Sequence, residues 1–126
     1  MPRNKWSREE LILTFNLYLK LSTFNQKYLA NATTALEQAI QIAPTDAKLF
    51  YNLGQVYERL GQRKKAIDTL LKAIEMKSNY KEARLVLSFI LIAEKEYNAA
   101  RDQLNYILEK IDPFDELTKK TLEEIE

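Results

Sequence analysis

The 126-residue sequence has no cysteine and no histidine. Without thiols there can be no disulfides, thiolate nucleophiles or cysteine-based zinc sites, and nothing follows about redox compartment. Without imidazoles, Ser-His-Asp triads, histidine metal sites and near-neutral histidine acid–base chemistry are excluded. Glycine occurs twice and proline three times. No glycine-rich phosphate loop is therefore available, and helices meet few breakers. The net charge of +1 lacks the basic surplus that a general nucleic-acid binder needs to displace counterions. No apolar run approaches the ~20 residues of a membrane span. Residues 1–6 are basic, but Glu9 and Glu10 follow at once and no small-residue cleavage site comes after them, so no signal peptide is expected. The expectation is a non-catalytic chain without cofactor or metal, of a length that makes a single domain.

Apolar residues recur at helical rather than alternating spacing. The pattern predicts helices over 7–22, 27–43, 46–60, 63–77, 80–93, 97–111 and 113–126. Several start signals agree. Ser7 with Glu10 forms a capping box. Asp46 follows Pro44 and can cap the third helix. Asn79 with Glu82 can cap the fifth. Asp112-Pro113 places proline at a first helical position, where its missing N–H costs nothing. Gly61 stands where a left-handed helix end is usual.

Slid along itself by 34, the chain superimposes its apolar pattern on its own next unit. Leu53 lands on Leu87, Gly54 on Ser88, Ala66 on Ala100 and Leu70 on Leu104. One unit earlier, Ala32, Leu36, Ala39 and Ile40 precede Ala66, Leu70, Ala73 and Ile74 by the same interval. Small residues at 54, 66, 73, 88 and 100 would let paired helices approach closely. A hairpin of this size cannot bury its apolar side alone, so hairpins must stack.

Residues 47–80, through Leu53-Gly54, Tyr57, Gly61, Ala66, Leu70 and Ala73, resemble one tetratricopeptide repeat. Residues 81–114 are similar to a second copy, through Leu87, Ser88, Tyr97, Ala100, Leu104 and Pro113. Residues 1–46 fit a divergent N-terminal hairpin, matching in ALEQAIQIAP but with Lys20 at a glycine position. Residues 113–126 fit a C-terminal capping helix, with Phe114, Leu117, Thr121 and Ile125 on one stripe. The resemblance implies an all-α, right-handed α-solenoid of about three helix-turn-helix hairpins plus that cap. Its function would be to bind a protein or peptide partner in a concave groove.

Residues 84–94, RLVLSFILIAE, are apolar nearly all round. As the first helix of the last repeat they would line the groove, with Leu85, Val86, Phe89 and Ile92 pointing into it. Covering each would stabilise by ~1.5–3 kcal/mol. A peptide, a second copy in a homodimer, or the protein's own first helix (Leu11, Ile12, Phe15, Tyr18, Leu19) are the three candidate covers. The other groove-facing helix offers Lys48, Tyr51, Asn52, Gln55 and Arg59, whose amides and cations suit a main chain and carboxylates. Asn52 resembles an asparagine of the carboxylate clamp by which some family members hold chaperone C-termini. The clamp also needs basic residues on the next repeat, where Glu82 and Val86 stand here, so no such clamp is expected. Arg59, Arg63, Lys64 and Lys65 are best read as a solvated turn, and Glu94–Glu96 and Glu123–Glu124 as solvated faces.

Two further likenesses complete the set. Residues 3–21, RNKWSREELILTFNLYLKL, resemble the opening helix found ahead of some bacterial HNH-type endonucleases. Those enzymes cut with histidines and a metal, so no nuclease activity follows, and Trp6 and Phe15 would otherwise close one end of the solenoid. Repeats closing on an Asp-Pro-containing helix are also similar to tails of large bacterial envelope proteins such as O-antigen ligase-like polymerases, which would make this chain an accessory segment.

Overall fold

With two glycines and three prolines, the backbone can turn at few places, and the helices break close to most of them. A computed structural model describes the backbone of residues 7–126 and the side chains of Ser7 and residues 25–126. The helices are α1 (Arg8–Ile42), α2 (Ala47–Arg59), α3 (Arg63–Met76), α4 (Lys81–Ala93), α5 (Tyr97–Tyr106), which runs on into a wider turn over Ile107–Ile111, and α6 (Glu116–Ile125). No strand occurs among the described residues. Each helix packs mainly on its chain neighbours, giving an α-solenoid. Hairpins α2–α3 and α4–α5 are complete, α1 stacks before them, and α6 follows.

One expectation is overturned at the start. The helices expected over 7–22 and 27–43 are a single helix. Residues 21–27, LSTFNQK, hold no glycine or proline to stop it. Polar residues further along are absorbed within the helix, as Thr33 Oγ1 donates to the Leu29 carbonyl at 3.0 Å. The side chains behind the endonuclease-like segment 3–21, Trp6 and Phe15 among them, lie outside the described residues.

The turns are more regular than the sequence suggests. Gly61 is left-handed at φ 77°, its N–H donating to Glu58 at 2.9 Å while Gln62 N–H reaches Tyr57 at 2.9 Å. Lys95, at the same place in the next unit, repeats this turn at φ 61°, with N–H bonds to Ile92 and Leu91 at 2.9 and 2.8 Å from Lys95 and Glu96. Asp46 caps α2 as expected, accepting from Lys48 N–H at 3.0 Å. Asn79 does not cap α4, which starts after Tyr80 with no side-chain cap bond. Nor does Pro113 open the last helix. Asp112 accepts from Phe114 N–H at 3.1 Å, tightening the turn, and Asp115 caps α6 by accepting from Thr118 N–H at 3.1 Å. The preceding wide turn leaves Asp112 N–H bonded back to the Ile107 carbonyl, at 2.8 Å.

The core follows the register of the repeat. Ala66, Leu70, Ala73, Leu87, Ala100, Leu104 and Ile107 are fully buried. Each such leucine contributes ~1.5–3 kcal/mol. A Cβ on Gly54 would stand 2.7 Å from Leu70 Cγ, so only glycine lets α2 and α3 approach this closely. Ser88 takes the same place in α4, buried and donating to the Arg84 carbonyl at 2.7 Å. α6 keeps the register of α2 and α4: Phe50, Arg84 and Thr118 are buried in turn, as are Leu53, Leu87 and Thr121. In α6, however, Leu122 stands at the place of Gly54 and Ser88.

Candidate functional site

α2 and α4 lie side by side, and the sequence predicts which of their residues share a face. Between them is a cleft of about 280 Å³, lined by Gln55, Glu58 and Arg59 of α2, Arg63 of α3, and Val86, Phe89, Ile90 and Ala93 of α4. A shallower hollow of about 170 Å³ adjoins it, formed by Asn52, Gln55, Val56 and Arg59. Gln55 and Arg59 line both. One end of the cleft is tied by an ion pair across the repeats, Arg63 Nη1 to Glu94 Oε1 at 3.1 Å, with both side chains about half exposed.

The apolar helix 84–94 hides most of its surface. Ala83, Leu87, Ser88, Ile90 and Leu91 are buried, and Val86 and Ile92 pack against the core from a half-buried position. Leu85 is also half-buried and lies outside the cleft. Of the four residues expected to point into a groove, Phe89 alone is substantially exposed, at 43%. α4 is sandwiched by α3 and α5 and touched by α2, which accounts for the rest.

Among the polar candidates, Asn52, Gln55 and Arg59 come together with Val86 and Phe89. Lys48 does not. It borders a separate depression of about 420 Å³ at the loop ends, with Thr45, Asp46, Ala47, Met76, Lys77 and Tyr80. Tyr51 is half-buried and leans on Tyr80, ring centroids 5.0 Å apart. Burial, then the Glu82 carboxylate, raise the Tyr51 hydroxyl above its ordinary pKa of 10.0. Glu82 thus gives this end of the groove a negative charge, where a carboxylate clamp would need a positive one. The basic turn does not converge on a ligand either: Arg63 is held by Glu94, and Lys65 sits 5.7 Å above the Tyr57 ring.

Arg84 is a residue that apolar periodicity conceals. It is buried to 7% exposure, donates from Nε to the Ser78 carbonyl at 2.8 Å and from Nη1 to Gln103 Oε1 at 2.7 Å, and stacks 3.5 Å from the Tyr106 ring centroid. Burial lowers its pKa, and no carboxylate pairs with it among the described residues. It ties α4 to α5. Its signal in the sequence was its register, one full unit after the buried Phe50. Glu58, Arg63 and Ala93 were also missed as cleft residues. They lie at helix ends, where facing depends on the turn that follows.

No group of three or more histidine, cysteine, aspartate or glutamate side chains is placed to hold a metal among the described residues. No described helix is long and apolar enough to cross a membrane.

Comparison with known proteins agrees with the repeat read from the sequence. A family model described as TPR repeat matches residues 24–61, and one described as tetratricopeptide repeat matches residues 47–80. The Hsp70-Hsp90 organising protein of Plasmodium falciparum (isolate 3D7) is 36% identical over 102 residues, which is 80% of this chain and 17% of that protein. The chain therefore spans about a sixth of that relative's length. Among solved structures, the type III secretion translocator chaperone SycD of Yersinia enterocolitica superimposes with a TM-score of 0.68 at 20% identity, covering 97% of this chain and 87% of SycD. A second SycD structure, titled an alternative dimer, gives the same score and identity over 97% and 96%. At that identity the likeness is one of fold.

Proposed function

Because tetratricopeptide repeats occupy residues 24–80 of this chain, we propose that it is a non-catalytic protein–protein interaction module that holds a peptide or partner helix in the α2–α4 cleft. One observation carries the reading: Phe89 is the large apolar side chain left exposed in a cleft whose polar rim is Gln55, Glu58, Arg59 and Arg63, with Asn52 in the adjoining hollow. An apolar anchor with amides beside it is the arrangement that binds a side chain and a main chain together. Gln55 borders both hollows and can bond a partner's backbone. Arg59 has no ion pair among the described residues and is free to meet a carboxylate.

Selecting short random peptides on phage against the full chain tests this. Enriched peptides should share an apolar residue, and their binding by isothermal titration should weaken roughly tenfold to a hundredfold on Phe89→Ala, the equivalent of ~1.5–3 kcal/mol of apolar burial. Gln55→Ala should weaken it too. Binders indifferent to both substitutions would remove the cleft from the proposal. A dimer at high micromolar concentration that Phe89→Asp dissolves, read by light scattering, would assign the cleft to a second copy of the chain.

A further inference from the structure

The second helix of each repeat carries three residues on which its partner first helix lies. In α3 these are Ala66, Leu70 and Ala73, and in α5 with its wide turn they are Ala100, Leu104 and Ile107. All six have 0% exposure. In α1 the same register falls on Ala32, Leu36 and Ala39, and all three stay half-exposed. The difference has a structural cause. α3 is covered by α2 and α5 by α4, whereas α1 meets the rest of the molecule through Glu37, bonded to Tyr57 of α2, and Ile40, packed on the core. Residues 8–24 do not fold back over it, because α1 is one unbroken helix from Arg8 to Ile42.

A second observation concerns charge. Over residues 25–42, α1 has two charged residues, Lys27 and Glu37, and Glu37 is engaged by the Tyr57 hydroxyl at 2.9 Å. α3, of 14 residues, carries Arg63, Lys64, Lys65, Asp68, Lys72 and Glu75. A helix face meant for water is rich in charge, and this one holds Ala35 exposed, Tyr28 at 64% and Ile42 at 86%.

We infer that the open face of α1 is a docking site for an amphipathic helix from another protein, seated against Ala32, Leu36 and Ala39 as α2 is seated against Ala66, Leu70 and Ala73. The chain's own geometry specifies the occupant. The helix must present a glycine or serine to Leu36, because at the equivalent places Gly54 has no room for a Cβ against Leu70 and Ser88 is fully buried. Large apolar residues one position before and three after that small residue, as in Leu53-Gly54 and Tyr57, complete the match. The same requirement excludes α6 of a second copy, which offers Leu122 at the critical place.

The chain supplies its own probe. A fluorescently labelled peptide of residues 46–60, DAKLFYNLGQVYERL, is titrated with the full chain and followed by anisotropy. Saturable binding is expected. It should weaken at least tenfold when the exposed Ala35 becomes arginine in the protein, and equally when Gly54→Leu is made in the peptide. Phe89→Asp in the protein should leave it unchanged, which separates this face from the α2–α4 cleft. The inference is overturned if the peptide shows no saturable binding up to its solubility limit, or binds the A35R protein as well as the unsubstituted one. Self-association that A35R abolishes, seen by sedimentation, would overturn the assignment to a foreign helix in favour of a second copy.

Discussion

Lys95 shows at the level of one residue how strictly the register of the repeat is kept. Its φ of 61° reproduces the Gly61 turn and both of its backbone hydrogen bonds, although a Cβ is strained there. The turn is imposed by the stacking of α4 on α5, and the residue tolerates it. Lys95→Gly should therefore stabilise the protein by about 1 kcal/mol, since glycine adopts this conformation without steric cost. A rise of a few degrees in the thermal midpoint is the expected readout; a fall would show that the lysine side chain itself stabilises the turn. The repeat was legible in the sequence through residues of this kind, because packing of small against large side chains leaves a spacing that can be counted. Arg84 was legible only as a core register position, not in what it binds. A lone cation in an apolar helix declares itself only when Gln103, Tyr106 and the Ser78 carbonyl are brought round it by other elements.

Among the elements, α6 combines an apolar contact, Ile125 against the core, with an unusual share of polar ones. Its buried residues are Thr118 and Thr121, and its start is fixed by Asp115. Lys81 of α4 reaches Asp112 and Asp115, both at 3.3 Å. The Thr118 hydroxyl, then its backbone N–H and the Lys81 ammonium, hold the Asp115 carboxyl below its ordinary pKa of 3.8. Hydrogen bonds that Lys81 donates to Asp112 and then to Asp115 raise its own pKa above 10.5. The signs fix a window. A depressed carboxyl gives stability above pH ~4 and loses it as pH falls through the folded value. A raised ammonium gives stability below pH ~10 and loses it as pH rises through its own folded value. Attachment of α6 should thus be flat between these limits and weaken outside them. Asp115→Ala should remove the cap bond at a cost of about 1 kcal/mol and flatten the acid limb of a urea-midpoint profile. An unchanged acid limb would show that Asp115 is not the group responsible. The sequence placed a final helix here but mistook its start, because Asp112-Pro113 and Asp115 offer competing caps. The choice between them is made by Thr118, whose backbone N–H and hydroxyl both donate to Asp115, while Lys81 reaches both carboxylates alike. The merging of two expected helices into α1 has the opposite origin: no breaker was present, and spacing alone cannot report a turn that lacks one.

Taken whole, the molecule is a row of helices in which stability comes from nearest neighbours. α3 and α4 have helices on both sides, while residues 25–42 of α1 have α2 on one side. Native-state hydrogen exchange should therefore be slowest at amides of residues 66–74 and 83–91, and at least tenfold faster across 29–40. Uniform protection along the chain would mean that the stack opens as one cooperative unit. The candidate cleft sits in the slow-exchanging middle, between α2 and α4, so its lining should be preorganised for a partner. The face of α1 lies in the faster region, where a bound helix should slow exchange. Gln55, Arg59, Val86 and Phe89 of the cleft could be named from the sequence, but Glu58 and Arg63 could not, and the burial of Leu85, Val86 and Ile92 depends on how closely three other helices approach α4.

Leu122 gives the row a direction. Gly54 and Ser88 each admit the helix that closes their hairpin, and a leucine at the corresponding place refuses that approach. The α6 side is thereby a stop, and the α1 side a start. An engineer wishing to lengthen this scaffold past α6 would first have to replace Leu122 with glycine or serine, whereas the open face of α1 already suits a helix supplied as a separate chain.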